Sequence, residues 1–168
     1  MTHLRRQSGV MLIEALIGIL IFAIGILGLI GVQATALQTS QDARYRTEAV
    51  NYANDLLSQI LVNVDRSTPA NLQTSLAAFQ HQGTTAASCS YSGAASANAI
   101  VTDWVKLVTG TTGVTPPPRL PLPGAQSGMV QILVDTSAGA YNQVTITVCW
   151  KAPDDPVARR HQLISYIT

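Results

Sequence analysis

The sequence predicts an α+β fold: a long N-terminal helix carried against a small antiparallel sheet. Three observations predict it. Ala15 to Val32 contains no charge and no proline, a length that suits a helix crossing a bilayer. Beyond it, Tyr45, Ala49, Ala53, Leu56, Leu57, Ile60 and Val64 recur at helical spacing among polar residues. Near the C-terminus the period changes to two: Val144, Ile146, Val148 and Trp150 alternate with Thr145, Thr147, Cys149 and Lys151.

The chain opens on Arg5-Arg6-Gln7-Ser8-Gly9, and the apolar run begins at Val10. One carboxylate, Glu14, sits inside that run, where burial in lipid is costly for a charge. The arginines predict that this end stays in the cytoplasm and that the rest is exported. An ordinary secretory signal is the competing reading, with Ala34-Thr35-Ala36 as its small-x-small site. It gives Glu14 no role, and it cuts through what reads as one helix from Val10 to Asp65, roughly 80 Å long. Ser67-Thr68-Pro69 is expected to stop that helix. Gly18, Gly25, Gly28 and Gly31 weaken its first half by about 1 kcal/mol each relative to alanine, and they allow close helix approach in lipid.

Pro69 to Gln80 is expected to form a short helix with Thr68 as its cap. Gln82 to Ser96, rich in Gly, Ser, Thr and Ala, reads as a surface loop. Asn98 to Thr109 reads as a helix with Val101, Trp104, Val105 and Val108 on one face. Gly110 to Gly128 holds five of the prolines and reads as a long irregular loop. Met129 to Val134 is a predicted strand, Val144 to Lys151 a second, and His161 to Thr168 a third. Ala152 to Pro156 is the turn between the last two. The alternation implies a sheet with one apolar face and one solvated face. The expected organisation is a leader over 1–9, a membrane half-helix over 10–32, an amphipathic half-helix over 33–65 and a globular head over 66–168.

Charged residues are 11 % of the chain. Losing Arg5 and Arg6 takes Lys plus Arg from ten to eight against nine acids, and the formal charge from +1 to −1. That near-neutral balance argues against a nucleic-acid binder. Export puts Cys89 and Cys149 in an oxidising compartment, where a disulfide is the default. Two free buried thiols are the alternative.

Gly9 followed by Val10-Met11-Leu12-Ile13-Glu14 resembles the class III signal of type IV prepilins. The resemblance implies that a membrane prepilin peptidase cuts between Gly9 and Val10 and that the new amino group of Val10 is methylated. It implies that Glu14, the fifth mature residue, pairs with the amino terminus of a neighbouring subunit. It also implies a pilin-like fold, with major and minor pilins, the inner-membrane assembly platform and the membrane itself as partners. From the residues alone, Glu14 snorkelling to the headgroups stays open. The family has phenylalanine at the first mature position more often than the valine found here. Further landmarks are Tyr45-Arg46-Thr47-Glu48-Ala49, Asp103-Trp104, Leu122-Pro123-Gly124 and Val144 to Trp150. With these the chain resembles the type IV pilus modification proteins, the PilV family of minor pilins, which help start pilus assembly.

No Ser/His/Asp or Cys/His constellation and no cofactor motif is recognisable, and neither cysteine has a ligand at metal-site spacing. The expectation is a structural protein with no enzyme activity, no cofactor and no metal. A minor pseudopilin of a type II secretion system shares the same N-terminal chemistry. A signal-anchored periplasmic enzyme or binding protein is the reading from another class. Trp104 reads as core. Pro118-Arg119-Leu120-Pro121 reads as surface loop. Arg159-Arg160-His161 is a basic cluster whose weak alternative is DNA.

Overall fold

Helix α1 runs unbroken from Val10 to Asn63 in the computed structural model, which describes residues 10–84, 88–113 and 119–168. The chain divides into two compact units, Met1–Ala43 and Arg44–Thr168. In the first unit α1 has no core to serve. Residues 11–41 are all exposed, and the most apolar window has a mean hydropathy of 2.8. It is long and apolar enough to cross a membrane.

The second unit contains the rest of α1, then α2 (Pro69–Ala77), α3 (Ala99–Thr109) and three strands, β1 (Val130–Asp135), β2 (Gln143–Trp150) and β3 (Arg159–Tyr166). The strands form one antiparallel sheet in the order β1-β2-β3. Ile132 pairs with Ile146, and Ile146 pairs with Leu163. The fold is therefore α+β, a long N-terminal helix on a three-stranded sheet.

The part of α1 in this unit buries Ala49, Tyr52, Ala53, Leu56 and Ile60, and Val64, just past its end, continues the face, the 3- and 4-residue steps of one helix face. They share a core with Leu72 and Leu76 of α2, Val101, Trp104 and Val108 of α3, and Val130, Ile132, Val144, Ile146 and Val148 of the sheet. Tyr52 belongs to this face although the sequence reading omits it. Its hydroxyl donates to the Leu120 carbonyl at 3.0 Å, with the Leu107 carbonyl at 3.3 Å. Trp104 Nε1 returns a bond to the Tyr52 carbonyl at 2.9 Å. One residue of α1 thus fastens α3 and the proline-rich segment.

Local chemistry sets most boundaries. The Val64 amide still reaches the Ile60 carbonyl at 3.1 Å. Asp65 then ends the helical run: its carboxylate accepts from the Ser67 amide at 2.8 Å and from Asn71 Nδ2 at 3.1 Å. Those bonds, Ser67's foremost, hold the Asp65 carboxyl below the usual range. The helix therefore ends at Asn63, two residues before the expected Asp65, and Asp65 makes the turn that follows, with Pro69 starting the next helix. Thr68 does cap α2, its Oγ1 accepting from the Asn71 amide at 3.1 Å. α2 stops at Ala77, short of Gln80, because Phe79 and Gln80 turn tightly back onto Leu76 and Ala77. Asn98 caps α3 through the Ile100 amide at 2.9 Å. Gly110 closes α3 at φ 76°, where a Cβ would meet Pro121 at 2.9 Å.

Three expectations about the sheet need correction. Met129 lies in a 3-10 turn, Ser127–Met129, so β1 begins at Val130. β3 begins at Arg159 and ends at Tyr166, two residues earlier than expected. The sheet is not solvated on its second face at β2, which is buried from Val144 to Trp150, Thr145 and Thr147 included.

The cover comes from the segment read as a surface loop. His81 exchanges two backbone bonds of 3.0 Å with Ile132 on the outer edge of β1. Gln131 Nε2, on the second face, donates to the Gln82 and Thr84 carbonyls at 2.7 and 3.0 Å. Further on, Cys89 is disulfide-bonded to Cys149, and buried Tyr91 places its hydroxyl 3.7 Å from Cys149 Sγ.

The core makes a graded prediction. Leu56→Ala should destabilise the folded head by about 2–5 kcal/mol, and Tyr52→Phe by about 1 kcal/mol. Urea unfolding of the detergent-solubilised chain, followed by tryptophan fluorescence, measures both. Equal losses for the two variants would contradict the assignment of Tyr52 to a hydrogen-bonded fastening.

Candidate functional site

The candidate site of the first unit is the start of α1. Gly9 and the leader, 1–9, lie outside the described residues. Val10 is the first helical residue, and Glu14 lies one turn on, a rise of about 6 Å. Glu14 is exposed, and among the described residues no hydrogen bond or ion pair engages it. It is the only charged residue between Val10 and Gln41. Around it are apolar side chains with nothing packed on them: Leu12 is 70 % exposed and Ile17 51 %. At Gly18, Gly25, Gly28 and Gly31 an added Cβ would meet nothing within 4 Å. Two threonine hydroxyls later in this half bond back to the helix itself. Thr35 Oγ1 donates to the Gly31 carbonyl at 3.2 Å, and Thr39 Oγ1 to the Thr35 carbonyl at 3.0 Å. This is a helix whose backbone and hydroxyls suit an apolar solvent, with one carboxylate left to be matched.

In the second unit, the residues singled out from the sequence take structural positions. Cys89 and Cys149 are joined, as expected for an exported chain. Trp104 is core, 5 % exposed. Pro118 lies outside the described residues, while Arg119 folds back over the Tyr52 ring, 5.1 Å from its centroid, and pairs with Asp55. This pair lies beside a groove of about 520 Å³ between α1 and α3. The basic cluster is split. Arg159 grips the Asp155 carboxylate with two bonds of 2.8 and 2.9 Å, holding that acid below its ordinary range. His161 is half-buried, and burial lowers its pKa. Only Arg160 of the three is exposed.

In sequence His81 has no cysteine or carboxylate partner nearby, and nothing there marks it as buried. It is 5 % exposed, and its Nδ1 accepts from the Ser96 amide at 3.1 Å. That places the ring proton on Nε2, which makes no hydrogen bond. Burial pushes its pKa down. Its signal in the sequence was faint, a lone histidine between Phe79 and a glycine-containing turn. Among the described residues, no three of His, Cys, Asp and Glu come together in a way that would hold a metal ion.

No protein family, no curated protein and no solved structure matches the chain.

The histidines fix a pH dependence. The folded state holds His81 and His161 below their unfolded value of 6.5, so the unfolded chain binds more protons as pH falls. Their contribution is complete above about pH 6.5 and is lost as pH falls below it. The midpoint of thermal unfolding should therefore drop between pH 7.5 and 5, and His81→Gln should drop less across the same interval. A parallel pH course for the two proteins would remove His81 from this role.

Proposed function

We propose that this chain is a membrane-anchored minor pilin of the PilV type that takes part in starting type IV pilus assembly. The observation that carries the reading is the single helix from Val10 to Asn63, with one carboxylate one turn from its start. The apolar half supplies the anchor, with Arg5 and Arg6 keeping its start in the cytoplasm and the head in the periplasm before assembly. Cleavage after Gly9 frees the amino group of Val10. Glu14 then has a cationic partner of the right kind on a neighbouring subunit, and pairing removes the cost of a lone carboxylate in lipid. The first half of α1, exposed along residues 11–41, is the surface that other pilins and the assembly platform pack against. The disulfide suits an exported head.

Two measurements test this reading. Mass spectrometry should find the mature protein starting at Val10 with a methylated amine; a start at Met1 or after Ala36 would overturn it. Glu14→Ala should be cleaved normally yet be missing from sheared pili. Its recovery at wild-type levels would remove Glu14 from assembly.

A further inference from the structure

The two edges of the sheet are treated differently. The outer edge of β1 is covered at Ile132 by His81. Among the described residues, no backbone group outside β2 bonds the outer edge of β3. Antiparallel pairing alternates residues that face the partner strand with residues that face away. The Ile167 amide donates to the Asn142 carbonyl at 3.2 Å, on the β2 side. Counting back by twos, Ser165, Leu163, His161 and Arg159 also face β2. Arg160, Gln162, Ile164 and Tyr166 therefore turn their N–H and C=O groups outward. Thr168, of the same parity, does so too: its carbonyl accepts from Arg66 Nε at 3.2 Å.

These four residues are also the ones whose side chains are exposed, on the second face of the sheet. Ile164 is 49 % and Tyr166 58 % exposed. Exposed edges are normally blunted by charge, proline or a bulge. From His161 to Tyr166 there is no proline and no lysine, arginine or acid, and the pairing with β2 continues without a bulge. At the Arg160 end the surface changes character. Arg160 and Lys151 line a groove of about 660 Å³ together with Ser88, Cys89 and Ser90, and among the described residues no carboxylate lines it. Asp155, in the adjoining turn, is already engaged by Arg159.

We propose that the outer edge of β3 is a strand-addition site for an extended segment of another polypeptide, with a carboxylate beside Arg160 and apolar side chains beside Ile164 and Tyr166. Main-chain bonds to the four outward residues hold the segment. The Lys151–Arg160 groove and the Ile164–Tyr166 pair choose among segments, by charge at one end and by apolar contact at the other. The site does not depend on how the N-terminus is processed.

The test uses the full chain in detergent micelles and short synthetic peptides of alternating valine and threonine. One carries glutamate at its N-terminal end and one at its C-terminal end, covering both strand directions; two lysine counterparts are controls. Residue-resolved amide exchange is the readout. Without peptide, the Gln162, Ile164 and Tyr166 amides should exchange freely. One glutamate peptide should slow them by about tenfold or more, and the lysine peptides should not. Ile164→Pro removes an outward N–H that β2 does not use, which an edge strand tolerates. It should abolish the effect while leaving His161, Leu163 and Ser165 protected. Three results would overturn the proposal: no slowing with either glutamate peptide, equal slowing with the lysine peptides, or protection that rises with chain concentration alone. The last would make the occupant a second copy.

Discussion

Everything in the head is hung on one stripe of α1, Ala49, Tyr52, Ala53, Leu56 and Ile60, continued by Val64 just past its end. The two alanines let neighbouring elements approach the helix closely, and the larger residues fill the space on either side. The Tyr52 bonds then connect this stripe to α3 and to the proline-rich segment. A helix can bear this because its own backbone groups are satisfied along its length. The same fact lets the other half of α1 keep its helix with side chains 11–41 exposed. One element thus faces two kinds of surroundings, and only the choice of side chains changes along it.

The elements were legible wherever local chemistry decides. The Thr68 and Asn98 caps, the apolar run of α1 and the alternation in β2 all follow from neighbours in sequence. What was not legible depends on partners far along the chain. Tyr52 fits the helical stripe by spacing, but its two carbonyl acceptors lie 55 and 68 residues away. The threonines of β2 alternate with apolar residues as in a solvated face, and they are buried because a distant loop covers them. That loop looked like surface because its composition is Gly, Ser, Thr and Ala. Its role comes from Gln131, which binds its carbonyls, and from Cys149, which binds its cysteine. The beginning of α1 is the reverse case. Its chemistry is plain in sequence, while among the described residues no hydrogen bond or ion pair engages Glu14.

Polar groups in the head follow a consistent rule. Those that help to close a segment are paired, as with Asp65 at the end of α1 and Asp155 in the β2–β3 turn. The exceptions among the described residues are Trp150, whose buried Nε1 makes no bond, and His81, whose buried Nε2 makes none. The His81 backbone compensates by occupying the edge of β1. The price of one unsatisfied nitrogen, about 1–3 kcal/mol, is set against two main-chain bonds and a protected sheet edge.

The disulfide has a mechanical meaning as well. Cys89 and Cys149 are separated by 60 residues, so the bond closes a covalent ring that contains α3, β1 and nearly all of β2. If the head were pulled apart from its ends, that ring could not lengthen. About 200 Å of contour length would stay hidden, and tension would bypass it through the sulfur–sulfur bond. Only the segments outside the ring, α1, α2 and β3, would pay out as slack.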